Sequence, residues 1–264
     1  MQDPGRTIDK THLSIDQAEE RGFIHRDYLA HCFRWSHVVK HLGKKKLYKK
    51  ARIVDIGCGK EIPLFKTLYT MKMLPKEYMA IDANKIELKD IHHKAIKKMG
   101  ESYFQLEDEL DFAETTWDIS RGLNEIDPHV IVCFEMLEHN TPAKCCRILR
   151  NIHQIANKDT TIFISTPVFN GKAAANHINE MTFDMMKALL RTSEFDILQT
   201  YGTFASQKEL EPVLYETGDN DLTIAYEYLK EYYDSNLLAC FLAPLFPQYS
   251  RNVLWEVKAN NVEA

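Results

Sequence analysis

No run of about 18 apolar residues occurs in the 264-residue chain, so no membrane-spanning helix is expected. Any C-x-x-C pair is also missing. The six cysteines (Cys32, Cys58, Cys133, Cys145, Cys146 and Cys240) are scattered, several of them inside apolar runs where a thiol serves as a small buried hydrophobe. A disulfide framework is therefore not expected. The opening residues Met1-Gln2-Asp3-Pro4-Gly5-Arg6 lack the apolar core of a signal peptide, which points to a cytoplasmic location. Nor is positive charge in excess. A net charge of −5 and a pI near 6.1 disfavour nonspecific coating of nucleic acid, because neutralising phosphates takes Lys and Arg. One basic stretch, residues 40–52 with Lys44-Lys45-Lys46 and Lys49-Lys50, reads as a solvated helix end. Internal repeats and low-complexity segments are absent.

What is present is the mixture of a globular chain, with 45% hydrophobic and 27% charged residues. Residues 1–13 read as a polar tail, and 14–41 have apolar residues near helical spacing. Short apolar runs that suit buried strands then alternate with helical patterns. Strands are expected at 51–56, 77–82, 102–106, 129–134, 160–165, 195–203 and 252–257. Helices are expected at 61–74, 85–99, 141–156 and 182–191, with Thr141 as a cap and Pro142 at the first helical position of its helix. The alternation implies a parallel sheet with helices on both faces. The acidic stretch 107–128 resists assignment. Residues 206–248, rich in tyrosine, interrupt the rhythm and read as a helical or irregular insertion before the last strand. Its aromatics form either a packed core or a substrate lid. The domain reading is thus 1–50 as tail and helical lid, carrying Arg26, Tyr28, Arg34 and Trp35, and 51–264 as the main domain.

The decisive motif is Val54-Asp55-Ile56-Gly57-Cys58-Gly59, at the end of the first parallel strand. Ligands of open α/β sheets bind beyond the carboxyl ends of the strands, and glycine there lets the backbone approach a ligand closely. Asp82 ends the second strand, 25 residues after Gly57, where a carboxylate can accept hydrogen bonds from ribose hydroxyls. Ile62 stands where the third glycine of G-x-G-x-x-G would fall, and no phosphate-binding G-x-x-x-x-G-K motif occurs, so dinucleotide and P-loop readings lose support.

These residues resemble the motif of class I S-adenosylmethionine-dependent methyltransferases. The resemblance covers about residues 50–204 and the final strand, and departs at Glu61, where many members have a third glycine. It implies a Rossmann-like, mostly parallel seven-stranded α/β fold with an N-terminal helix and the helical insertion. In that family Asp55 helps hold the ligand amino group, Gly57, Cys58 and Gly59 receive its methionine part, and Asp82 takes the ribose. Glu107 or Asp108 after the third strand contacts adenine, and the backbone at Phe134-Glu135 lies beside the cofactor.

Phe134-Glu135-Met136-Leu137-Glu138-His139 follows the fourth strand. A helical turn there would bring Glu135, Glu138 and His139 to one face, and two carboxylates with an imidazole can hold Mg or Mn. His177, in Asn176-His177-Ile178-Asn179-Glu180, supplies a fourth ligand from the same sheet edge. The segment resembles two branches of the superfamily: ubiquinone-biosynthesis O-methyltransferases, whose E-M-L-E-H matches Glu135 to His139, and small-RNA 3′-terminal 2′-O-methyltransferases, which bind metal through E-x-x-E-H and a later His. A bound cation would lower the pKa of an acceptor hydroxyl. Without one, His139 or His177 is the natural general base.

The motifs of base-methylating enzymes are missing after the fourth strand, since neither an acceptor-site Pro-Pro pair nor a Pro-Cys nucleophile is found there. A hydroxyl acceptor remains, with a small molecule favoured by the acidic balance and RNA as the alternative. A noncatalytic protein binding a partner through the insertion is the competing class. Nothing in the sequence specifies an oligomeric state.

Overall fold

The computed structural model describes residues 26–115 and 127–260. Part of the expected first helix (14–25), the polar tail, and half of the unassigned acidic stretch lie outside the described residues. The element order is α1 (Arg26–Lys44), β1 (Arg52–Ile56), α2 (Pro63–Thr70), β2 (Glu77–Ile81), α3 (Asp90–Met99), β3 (Phe104–Glu107), β4 (Val130–Phe134), α4 (Pro142–Ile155), β5 (Thr161–Pro167), α5 (Phe183–Thr192), β6 (Phe195–Phe204), α6 (Gln207–Glu216), α7 (Asn220–Leu229), α8 (Ser235–Leu242) and β7 (Asn252–Ala259).

Seven strands form one mostly parallel sheet in the order β3-β2-β1-β4-β5-β7-β6. Its parallel registers run Val54 against Met79 and Ile131, Ile81 against Glu107, and Ile131 against Ile162. The central strands β1, β4 and β5 are buried runs without alternation because both their faces are covered. Ile53, Val54, Ile56, Val130–Cys133 and Ile162–Ile164 are all fully buried. This is the Rossmann-like arrangement expected of the sequence.

The helices depart from their expected bounds at punctuated positions. Ile62 adopts a left-handed φ of 41° as the cap of α2, and Pro63 opens the helix, so α2 begins later than Glu61. Helix α3 begins at Asp90, because residues after Asp82 are used to close a loop around its carboxylate. Helix α4 keeps its expected start, Thr141 Oγ1 accepting from Lys144 N at 3.4 Å ahead of Pro142.

The described residues divide into two compact units, one built from 35–199 with 255–260 and the other from 26–34 with 200–254. In the first, the C-terminal half of α1 buries Val38, Val39 and Leu42, and His37 and His41 meet Phe163 edge-on at 5.6 and 5.2 Å between ring centroids. In the second, the expected insertion is helical. Leu210, Leu214, Tyr226, Leu238, Ala239 and Ala243 build its core. Gly202 is required there: a Cβ would lie 2.0 Å from Ser250 Oγ and 2.2 Å from the Ala243 carbonyl oxygen. Arg34, buried in the same unit, donates to Asn252 Oδ1 at 3.0 Å. Among the described residues no helix is long and apolar enough to cross a membrane.

Candidate functional site

Beyond the carboxyl end of β1 the chain turns through Gly57 and Gly59 at φ of 68° and 75°, a conformation that favours glycine. Gly57 N and Cys58 N both donate to the Ile81 carbonyl, at 2.8 and 3.1 Å, which ties the turn to the end of β2. A Cβ on Gly57 would press on the Met136 side chain at 3.1 Å, whereas one on Gly59 would meet nothing within 4 Å. Open space thus faces the second glycine.

Asp82 organises this turn. Its Oδ2 accepts from Gly59 N at 2.8 Å, and its Oδ1 accepts from Asn84 N at 2.8 Å and Asn84 Nδ2 at 3.1 Å. Because Ile81 pairs with Glu107, Asp108 follows β3 in register beside Asp82. Asp108 Oδ2 accepts from Ile86 N at 3.3 Å and stabilises the same loop, while Glu107 is exposed.

Asp55 is buried beneath the turn and accepts a short hydrogen bond from the Tyr78 hydroxyl. Burial pushes its carboxyl pKa up to about 7, with the Tyr78 bond opposing and the neighbouring Asp82 charge adding to the rise. Burial also pushes the Cys58 thiol far up, so Cys58 is a neutral group that contributes its backbone.

After β4, Glu135 takes a left-handed φ of 51°. Its N–H donates to the Ser165 carbonyl at 3.0 Å, and its Oε1 accepts from Ser165 Oγ at 2.8 Å. A 3-10 turn at Leu137–His139 follows instead of the expected α-turn. The converging group of ligand atoms found among the described residues does not include Glu135, the fourth residue of the expected metal set. Among the described residues, Glu138, His139 and His177 offer ligand atoms all within 4.8 Å of one another.

Each histidine in this group is oriented through its Nδ1. His139 Nδ1 lies 3.1 Å from the Asn176 carbonyl oxygen, which can only accept, so in the neutral ring Nδ1 carries the proton and Nε2 the lone pair. His177 Nδ1 makes a short hydrogen bond to Glu180 Oε1, which also accepts from Ala174 N at 2.9 Å. The two rings meet edge-on at 4.8 Å. Glu138 is 1% exposed, with Oε1 3.8 Å from His139 Nε2. Its carbonyl accepts from Ile178 N and Asn179 N at 3.0 and 3.1 Å, which draws the His177 loop onto the turn.

Sequence reasoning did not assign roles to Tyr78, Ser165 or Glu180. Tyr78 sits across the β1–β2 register, a pairing invisible in one strand alone. Glu180 is three residues after His177, the spacing of a local side-chain partner, and that signal was available.

A family profile described as a methyltransferase domain matches residues 27–211. No curated protein matches the chain. Among solved structures, the chain is similar to 1,6-didemethyltoxoflavin-N1-methyltransferase of Burkholderia thailandensis with bound S-adenosylhomocysteine, at 14% identity and TM-score 0.53, covering 88% of this chain and 79% of that one. It is similar to magnesium protoporphyrin IX methyltransferase of Synechocystis PCC 6803 at 11% identity and TM-score 0.52, covering 94% and 89%. The cyclase SpnF is similar at 12% identity and TM-score 0.52, covering 84% and 80%. At such identities these likenesses establish the fold alone.

Proposed function

The chain belongs to the methyltransferase domain family, whose chemistry depends on S-adenosylmethionine, and from that premise we propose that it methylates a hydroxyl group at the Glu138, His139 and His177 cluster. The observation that carries this reading is the convergence of two imidazoles, both held by their Nδ1, with a buried carboxylate within 4.8 Å.

The cofactor site fits an adenosyl ligand. The space before Gly59 accommodates its methionine part, and Asp55 faces the turn from below as partner for the ligand ammonium. Asp82 Oδ2 accepts one hydrogen bond from Gly59 and keeps capacity for a ribose hydroxyl. Asp108, in register beside it, takes the adenine side, and the Glu135 backbone borders the ligand.

The donor set also fits a divalent cation. With Glu135 engaged by Ser165, the ligands are two Nε2 atoms and one carboxylate, and this favours Mn over Mg because imidazole suits transition metals better. The Asn176 carbonyl and Glu180 would then orient the ligating histidines from behind, as such partners do in metal sites. A cation there supplies acidity to a bound acceptor hydroxyl. In its absence His139 Nε2, more exposed than His177, accepts the proton as the oxygen attacks the methyl group.

The acidic balance of the chain favours a small-molecule acceptor. A ribose hydroxyl of RNA is the second reading, supported by the lysine-rich stretch 40–52. The test is calorimetric titration with S-adenosylhomocysteine, with NAD as control, before and after Mn addition, followed by methyl transfer from labelled cofactor to a panel of phenols and catechols and to oligoribonucleotides. Adenosyl binding with Mn-dependent transfer to one hydroxyl class supports the reading. Adenosyl binding with transfer only to nitrogen or carbon acceptors overturns it.

A further inference from the structure

All parallel strands of a sheet begin at the same edge, so the segments that feed β1, β2 and β3 are brought together at the end opposite the Gly57–Gly59 turn. Five residues of β1 separate the two edges, on the order of 15 Å. At this far edge four lysines from three segments surround one cavity of about 400 Å³. Lys49 precedes β1, Lys72 and Lys76 precede β2, and Lys98 closes α3 ahead of β3. The cavity walls are apolar and aromatic, from Tyr48, Leu74, Pro75, Met99 and Tyr103, the last 44% exposed.

Some lysines elsewhere on the protein are ion-paired. Lys60, Lys89, Lys144 and Lys230 each contact a carboxylate. At this cavity only Lys76 does, with Glu77 at 3.1 Å. Among the described residues, Lys49, Lys72 and Lys98 face no carboxylate within ion-pair distance. Lys49 and Lys98 instead lie over the rings of Tyr48 and Tyr69, at 5.8 and 5.7 Å from the centroids. Exposed Lys44, Lys45, Lys46, Lys50 and Lys97 are near these residues in sequence, against exposed Glu101 and half-buried Glu77. In a chain of net charge −5, three such cations converge on one aromatic-walled cavity.

We propose that this cavity binds a nucleotide unit, with a base against Tyr48 and Tyr103 and phosphate on Lys49, Lys72 and Lys98. A cavity of this volume suits a small ligand. Lysines supply the phosphate neutralisation and an exposed tyrosine the stacking surface that such ligands require. The site stands apart from the methyl-transfer centre and does not depend on the acceptor proposed above. The unit belongs either to a free nucleotide or to a single RNA strand, and the two sources share this chemistry.

The test uses the full chain, with fluorescence anisotropy of a labelled octaribonucleotide and of a labelled ATP, each in 50 to 200 mM salt. Neutralising three phosphates predicts a log–log salt slope of about −2 for the strand. The triple variant Lys49→Gln, Lys72→Gln, Lys98→Gln alters only exposed side chains and is expected to weaken binding at least tenfold and to flatten that slope. Tyr103→Ala is expected to cost at least fivefold. Loss of both probes, with ATP displacing the oligonucleotide, identifies the mononucleotide as sufficient. Loss of the strand alone, with ATP never bound, identifies RNA as the source. Wild-type protein that binds neither probe, that binds only anionic phospholipid vesicles, or whose triple variant binds with unchanged affinity and slope overturns the proposal.

Discussion

Replacing Asp55 by asparagine tests whether the glycine turn after β1 is built over a carboxyl that is costly to ionise. In the free protein burial raises its pKa from the ordinary 3.8 to about 7, and the Tyr78 hydroxyl gives it one short hydrogen bond that an amide oxygen can also accept. Below 3.8 the group is neutral in both folded and unfolded chains and costs nothing. From there to about 7 the unfolded chain has released the proton and the folded chain retains it, so stability falls as pH rises. Above 7 the folded carboxyl is ionised and the full penalty, about 4 kcal/mol, is in place. Between pH 5 and 8 the share of this loss is about 3 kcal/mol. The amide of the Asp55→Asn variant does not titrate and carries no such dependence, and other titrating groups cancel between parent and variant. Urea unfolding at pH 5 and pH 8 therefore should show Asp55→Asn gaining on the parent by about 3 kcal/mol across that interval. A gap between the two proteins that changes by less than about 0.5 kcal/mol would refute the reasoning. The same carboxyl, ionised by an incoming ammonium, predicts proton release when S-adenosylmethionine binds near pH 6. Binding heats there should vary with the ionisation enthalpy of the buffer, and Asp55→Asn should bind more weakly without that variation.

Asp82→Ala removes the acceptor of Gly59 N and both Asn84 donors, and S-adenosylhomocysteine affinity by calorimetry should drop at least tenfold, about 1.4 kcal/mol or more. Glu180→Gln keeps the shape at His177 but weakens the hold on its Nδ1, so Mn affinity should drop about tenfold while S-adenosylhomocysteine affinity stays within twofold. An unchanged Mn titration would remove Glu180 from any orienting role. Gly202→Ala should destabilise by about 2 to 3 kcal/mol in urea unfolding, because its Cβ would overlap Ser250 and the Ala243 carbonyl. A neutral effect would show that the insertion can shift away from β6.

The fold was legible where one segment carries its own signal. The runs at β1, β4 and β5 are apolar without alternation, and only a strand covered on both faces calls for that pattern. The glycine turn after β1 was legible for a similar reason: Asp55, Gly57 and Gly59 lie within five residues, and Asp82 occupies the matching place one strand later. What a single sequence does not display is contact between segments. Tyr78 meets Asp55 only through the β1–β2 register, and the lysines of the far edge are spread from residue 49 to 98 until parallel strands align their starts.

Glu135 shows a subtler failure. The spacing of Glu135, Glu138 and His139 implies one face of an α-helical turn, and that inference was sound for a helix. The backbone chose otherwise at one residue. With φ positive at Glu135, its N–H reaches back to Ser165 and continues the ladder of β4 with β5, and its side chain goes to the Ser165 hydroxyl. The following 3-10 turn then rotates Glu138 inward and His139 toward Asn176. The consequence is chemical. The expected set pairs two carboxylates with two imidazoles, whereas Glu138, His139 and His177 together offer one carboxylate and two imidazoles. Asparagine or glycine at this position would favour the left-handed conformation and preserve this arrangement, so Glu135→Asn should leave Mn binding intact, while Glu138→Gln should weaken it. The opposite ranking would place Glu135, and a second carboxylate, back in the site.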